Sequence, residues 1–231
     1  MTMRFGLLIF TLAGAVALSS SRADDAPLVP LNLKLPAPAF IGTPSDLPVG
    51  STVEKPTGKP RPPLMVPPGL ANVALAKHVT SSSANIASDD LQKITDGDKE
   101  TRESSVVLLR KGPQWVQIDL GQSEQIFAIV VWHNHDAPKV YHGVVIQVSD
   151  DAAFKNDVHT VFNNDHANLD GQGVGPDREY FETNEGKLVD SKGLKGRYVR
   201  LWSDGSTESK LNEYLEVEVW GRPAEGHLSQ K

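Results

Sequence analysis

The strongest chemical signal in the sequence is a short acidic segment, Ile94-Thr95-Asp96-Gly97-Asp98, with Thr101 close behind. Carboxylates on either side of a glycine turn present several hard oxygens to one point. That suits Ca²⁺, which takes six to eight oxygen ligands. The same residues also describe a solvated acidic turn that carries no metal. A second group is Trp132-His133-Asn134-His135-Asp136, followed by Tyr141 and His142. Imidazoles two residues apart on an extended strand point the same way, a geometry compatible with zinc. No third ligand is evident and no Glu-x-x-His pattern accompanies the pair. His133, Asn134, His135 and Tyr141 are therefore read as ligand-binding groups at a loop end, set against ordinary loop packing and capping. A third stretch, residues 163–177, is rich in Asn, Asp and Gly. Placing Gly171 at the sixth position of an EF-hand loop puts His166 first and Asp177 last, so that register fails. The stretch is read as a long Asx-rich loop.

No catalytic constellation emerges. The sequence holds no Gly-x-Ser-x-Gly elbow, no Walker loop and no dinucleotide-binding glycine turn. Without cysteine there are no disulfides, thiolate metal sites or cysteine nucleophiles. The formal net charge of -6 and the scattered basic residues argue against nucleic acid.

The elements that must position these groups read as strands. Trp115 to Leu120 alternates, with Val116, Ile118 and Leu120 on one face, and Gly121 ends the run. Ile126 to Trp132 is continuously apolar and rich in β-branched residues, as a strand buried on both faces would be. Gly143 to Ser149, Tyr198 to Trp202 and Tyr214 to Trp220 repeat the β signal. Helical periodicity is weak, apart from a turn or two at Ile86 to Ile94. The fold class is all-β, a sandwich over residues 71–222, with a polar, frayed tail at 223–231.

Residues 1–23 have the form of a signal peptide: Arg4, an apolar run from Phe5 to Leu18, and small residues Ser21 and Ala23 before the cleavage point. The expected location is secreted, periplasmic or at the cell envelope, with no membrane span after cleavage. Twelve of the 16 prolines fall within residues 24–70. Each removes an amide donor and fixes φ, so the segment is expected to be a disordered, polyproline-II-rich linker. Leu31, Leu33, Leu35, Phe40 and Ile41 within it offer a docking patch, but the composition favours a spacer.

The domain resembles the coagulation factor 5/8 type C, or discoidin, family and the related galactose-binding-like carbohydrate modules. The resemblance rests on Asn72-Val73-Ala74 with Lys77, Ser81 and Ser82, then on Ile94 to Asp98 with Thr101. It continues through Trp115-Val116-Gln117-Ile118-Asp119-Leu120-Gly121, the Val-Ser-Asp triplet ending at Asp150, Gly196 to Leu201, and Leu215 to Gly221. These pieces occur in the family's order. Arg102 and Glu103 stand where an aromatic is usual, and residues 163–183 are longer than the family pattern. The resemblance implies a jelly-roll sandwich and a non-catalytic module that binds carbohydrate through loops at one end. A protein–protein or cell-adhesion module is the alternative, and a glycan-active enzyme a remote one. It also implies a structural Ca²⁺ held by the acidic turn and a last-strand Glu, making the expected metal set Asp96, Asp98, Thr101 and Glu216. The expected partner is a glycan or cell-surface ligand, and the oligomeric state stays open.

Overall fold

A computed structural model describes residues 26–40, 52–84 and 86–224 of the chain. The expected signal peptide, and residues 225–231 of the expected tail, lie outside the described residues. Antiparallel strands dominate. In chain order they are β1 (Val29–Pro30), β2 (Met65–Val66), β3 (Ala71–Asn72), β4 (His78–Ser81), β5 (Val107–Leu109), β6 (Gln114–His133), β7 (Val145–Ser149), β8 (His159–Asn163), β9 (Lys187–Ser203) and β10 (Asn212–Pro223). One short helix, α1 (Ser88–Leu91), runs into a 3-10 turn at Gln92–Thr95, where the sequence indicated one or two turns.

The sandwich is made by bending two long strands. The segments expected as separate strands at 115–120 and 126–132 are the two halves of β6, joined through Gly121 at φ 89° and register shifts against β9. The first half of β6 pairs with β4 and with the second half of β9, which continues to β7 and β8. The second half of β6 pairs with β10 and with the first half of β9, and β3 and β5 extend this layer beyond β10. Val116, Ile118, Leu120, Ile146, Val199 and Leu201 face Ile129, Val131, Val217 and Val219 across a single buried core. The alternation of β6 and β10 is thus explained by one core-facing side.

The other side of the second layer explains the unbroken apolar run. Val130, Trp132 and Leu215 point away from the core, yet none is accessible to solvent. They form a second cluster with Val106, Leu188 and Trp220, and with Leu33 from the proline-rich segment. The expectation of a disordered linker is corrected for the described residues 26–40 and 52–70, which form a docked strap. β1 and β2 pair with each other, and Leu31 N–H donates to the Leu64 carbonyl at 2.8 Å. Asn184 Nδ2 donates to the Pro36 carbonyl at 3.0 Å. Arg61 donates to the carbonyls of Gly186 and Glu185 at 2.6 and 2.9 Å, and Glu54 N–H donates to the Glu179 carbonyl at 2.7 Å. Prolines bar this segment from a central strand, but they leave every carbonyl free to accept. An apolar sheet face that has to be covered does the rest. Among the described residues no helix is long and apolar enough to cross a membrane.

Candidate functional site

The acidic turn and the last strand meet. Gly97 N–H donates to Glu216 Oε2 at 3.1 Å, across 119 residues of sequence. Glu216 is fully buried, and its other oxygen, Oε1, has no hydrogen-bond partner. Burial pushes its carboxyl up to about 9, helped by Glu218 and Asp96 and opposed by the Gly97 N–H and Lys99. The rest of the predicted metal set is partly engaged by protein. Asp98 Oδ1 accepts the Glu100 N–H, while its Oδ2 accepts Arg102 and Ser105 at 3.0 Å each. Thr101 Oγ1 donates to Asn134 Oδ1 at 2.7 Å. Asp96 is exposed, with Oδ1 accepting the Asp98 N–H. No three His, Asp or Glu side chains converge in a metal-holding group among the described residues. A buried carboxylate oxygen without a donor, on a side chain that touches a turn rich in oxygens, nonetheless fits a hard cation.

The four residues expected to project from a loop end are interior, and that expectation is corrected. His133, His135 and Tyr141 have no exposed surface and Asn134 has 8%. Sequence patterning missed this because polar residues bury once most of their groups find partners, and here His133 Nε2 and His135 Nδ1 alone among the four side chains find none. His133 Nδ1 meets Glu182 Oε2 at 3.0 Å, and its ring stacks on Tyr141 at 4.3 Å and lies against Tyr214 at 4.7 Å. His135 Nε2 meets the Lys99 carbonyl instead, so the two imidazoles serve different partners. Asn134 Nδ2 donates to Glu213 Oε2, Tyr141 Oη donates to the Asn134 carbonyl, and Lys139 bridges Asp136 and Glu213. Burial and the Glu213 carboxylate raise the Tyr141 phenol far above its ordinary range, so it stays a donor.

This buried network holds up a different surface. Glu182 N–H donates to the Lys139 carbonyl and Val140 bridges Phe181, fixing residues 180–183 against the 139–141 segment. Glu182 then points inward to His133, while its neighbours Phe181 and Thr183 line an open groove of about 580 Å³. The strap supplies the opposite wall at residues 54–62 and the domain supplies residues 180–188. Lys187 crosses the floor, with Nζ 4.6 Å from the Tyr180 ring centroid and 3.2 Å from Glu54 Oε1. Glu185 accepts the Arg61 N–H with both carboxylate oxygens, at 3.1 and 3.2 Å. Gly186 turns the domain wall at φ 61°, and a Cβ there would sit 2.7 Å from the Trp132 ring. A spacer reading of the prolines hid this groove, because half of it belongs to the strap. The one usable sign that the segment docks was its apolar residues, of which Leu33 packs on the second cluster.

Residues 93–201 match the F5/8 type C family model described as a NedA-like, galactose-binding domain. With the two-layered jelly roll, this defines a discoidin-type, galactose-binding-like β-sandwich. No curated protein matches the chain. Among solved structures, chitosan-binding module 1 of a chitosanase/glucanase from Paenibacillus sp. IK-5 is 21% identical. It aligns with a TM-score of 0.46 over 65% of this chain and 99% of that one. The CBM32 of AlyQ in complex with 4,5-unsaturated mannuronic acid is 20% identical, with a TM-score of 0.43 over 61% and 92%. A fucose-binding module, SpX-3, from Streptococcus pneumoniae is 26% identical, with a TM-score of 0.41 over 65% and 97%.

Proposed function

We propose that this is an exported, non-catalytic glycan-binding module whose ligand lies in the groove between the strap and residues 180–188. The observation that carries the reading is the groove itself. Its volume falls in the range of small-ligand sites, and it combines aromatic surface at Phe181 with hydroxyl, amide and ammonium groups at Thr183, Asn184 and Lys187. Such groups exchange hydrogen bonds with sugar hydroxyls, while ring faces take the C–H side of a pyranose. The two acids of the groove are committed, Glu54 to Lys187 and Glu185 to the Arg61 amide, which supports binding without hydrolysis. The matched family of galactose-binding domains points the same way. Ca²⁺ belongs to this reading as a structural ion: Glu216 would hold it with oxygens of the 96–101 turn, locking β10 to that turn.

A glycan array followed by titration calorimetry tests the site. An open groove of this kind is expected to bind at about 0.1–1 mM, or roughly -5 kcal/mol. Replacing Phe181 and Lys187 together, Phe181→Ala with Lys187→Ala, is expected to abolish binding while the protein still melts cooperatively. An array without hits, or a double variant that binds as the parent does, overturns the proposal.

A further inference from the structure

The long 163–177 loop is ordered almost entirely by its own short polar side chains. Asn163 Oδ1 accepts the Asp165 N–H at 2.8 Å, and Asn168 Oδ1 accepts the Gly173 N–H at 2.7 Å. Asp165 accepts the amides of Ala167 and Asp170 at 3.2 and 2.9 Å. Asp170 is the exception. It is 7% exposed, and neither carboxylate oxygen has a hydrogen-bond partner. A buried acceptor left in this state costs roughly 1–3 kcal/mol, and more when charged.

The Asp170 carboxylate is aimed at one spot. Gly143, at φ 58°, faces it with no side chain of its own. A Cβ built there would lie 3.2 and 3.3 Å from the two Asp170 oxygens and 3.2 Å from Asp204 Cβ. The loop and the end of β9 thus bring two aspartates together over the bare face of Gly143. Burial, then Asp165, then Asp204 raise the Asp170 carboxyl to about 7. None of the three aspartates makes an ion pair among the described residues. Uncompensated carboxylates of this kind are stable only when protonated or when a cation joins them. Oxygen donors without nitrogen or sulfur select a hard ion.

We propose that Asp170 and Asp204 hold a divalent cation of the Ca²⁺ class over Gly143, with main-chain carbonyls and water completing its shell. The site is separate from the Glu216 turn and independent of the glycan reading. It also accounts for a loop whose EF-hand register fails: one acidic ligand comes from the loop and the other from a distant strand end.

Calcium alone is the probe, titrated by calorimetry into the chain lacking residues 1–23, stripped of metal at pH 8. The Glu216→Gln variant is expected to take up one Ca²⁺ still. Adding Asp170→Asn or Asp204→Asn to it is expected to weaken that binding at least tenfold. In the parent background each substitution lowers the stoichiometry by one. Without Ca²⁺, Asp170→Asn is expected to melt above the parent, because the unpaired charge is gone. No uptake by Glu216→Gln, or uptake indifferent to both aspartate substitutions, overturns the proposal. Should Glu216→Gln not fold, an unchanged stoichiometry in Asp170→Asn and Asp204→Asn alone has the same force.

Discussion

Removing the strap tests the interior logic of the fold most directly. A chain starting at Ala71 keeps every strand of the sandwich but uncovers the outer face of the second layer. Val130, Trp132 and Leu215 are fully buried there, and Leu33 is the strap residue packed on them. Full exposure of such side chains costs about 1.5–3 kcal/mol each. Val106, Leu188 and Trp220 would remain as partial cover, so each opens only in part. The expected loss is about 3–5 kcal/mol, a large share of the roughly 5–15 kcal/mol that holds a domain together. Urea unfolding of the chain lacking residues 1–70, compared with one lacking only residues 1–23, measures it. Dye binding to exposed apolar surface should rise in parallel. If the prolines formed a mere spacer, the two proteins would share one midpoint and one slope. That equality would refute the account of Trp132 and of the groove wall together.

Two further outcomes follow from the same geometry. Gly186→Ala places a methyl group against the Trp132 ring and strains a left-handed backbone, so it is expected to cost about 1–3 kcal/mol by thermal or urea melting. A neutral effect would show that the domain wall of the groove is loose around Trp132. In chelator, the protein is expected to lose stability as pH rises from about 5 to 9. Glu216 has its folded carboxyl raised to about 9 and Asp170 to about 7, so between their unfolded values and these the folded state holds more protons. Stability therefore falls with pH across that window, the reverse of the behaviour of an ion-paired carboxylate. Glu216→Gln should flatten the slope in calorimetric melts, and an unchanged slope would remove Glu216 as its source.

The sandwich was legible because strand alternation and the order of the family-like segments are local facts. Val116, Ile118 and Leu120 sit inward as their period of two requires. The apolar run Ile126 to Trp132 announced a strand buried twice, but part of what covers its second face, Leu33, lies almost 100 residues upstream in a stretch that read as spacer. The pairing of Glu216 with the Gly97 turn came through the resemblance, and the two do meet. His133, Asn134, His135 and Tyr141 misled for a different reason. Polar type signals exposure only when partners are absent, and Glu182 and Glu213, which hydrogen-bond to three of them, stand 49 and 72 or more residues away. Asp170 carried little local sign, since beyond Asp165 in its own loop its environment is made by Gly143 and Asp204.

The docked strap also bears on mechanics. As an extended polyproline tether, residues 26–70 would span roughly 140 Å, at about 3.1 Å per residue, and the sandwich could sweep a wide volume in search of ligand. The described residues 26–40 and 52–70, docked on the domain, add little reach. Pulling on its N-terminal end loads the β1–β2 pairing and the Asn184 bracket before any force reaches the core.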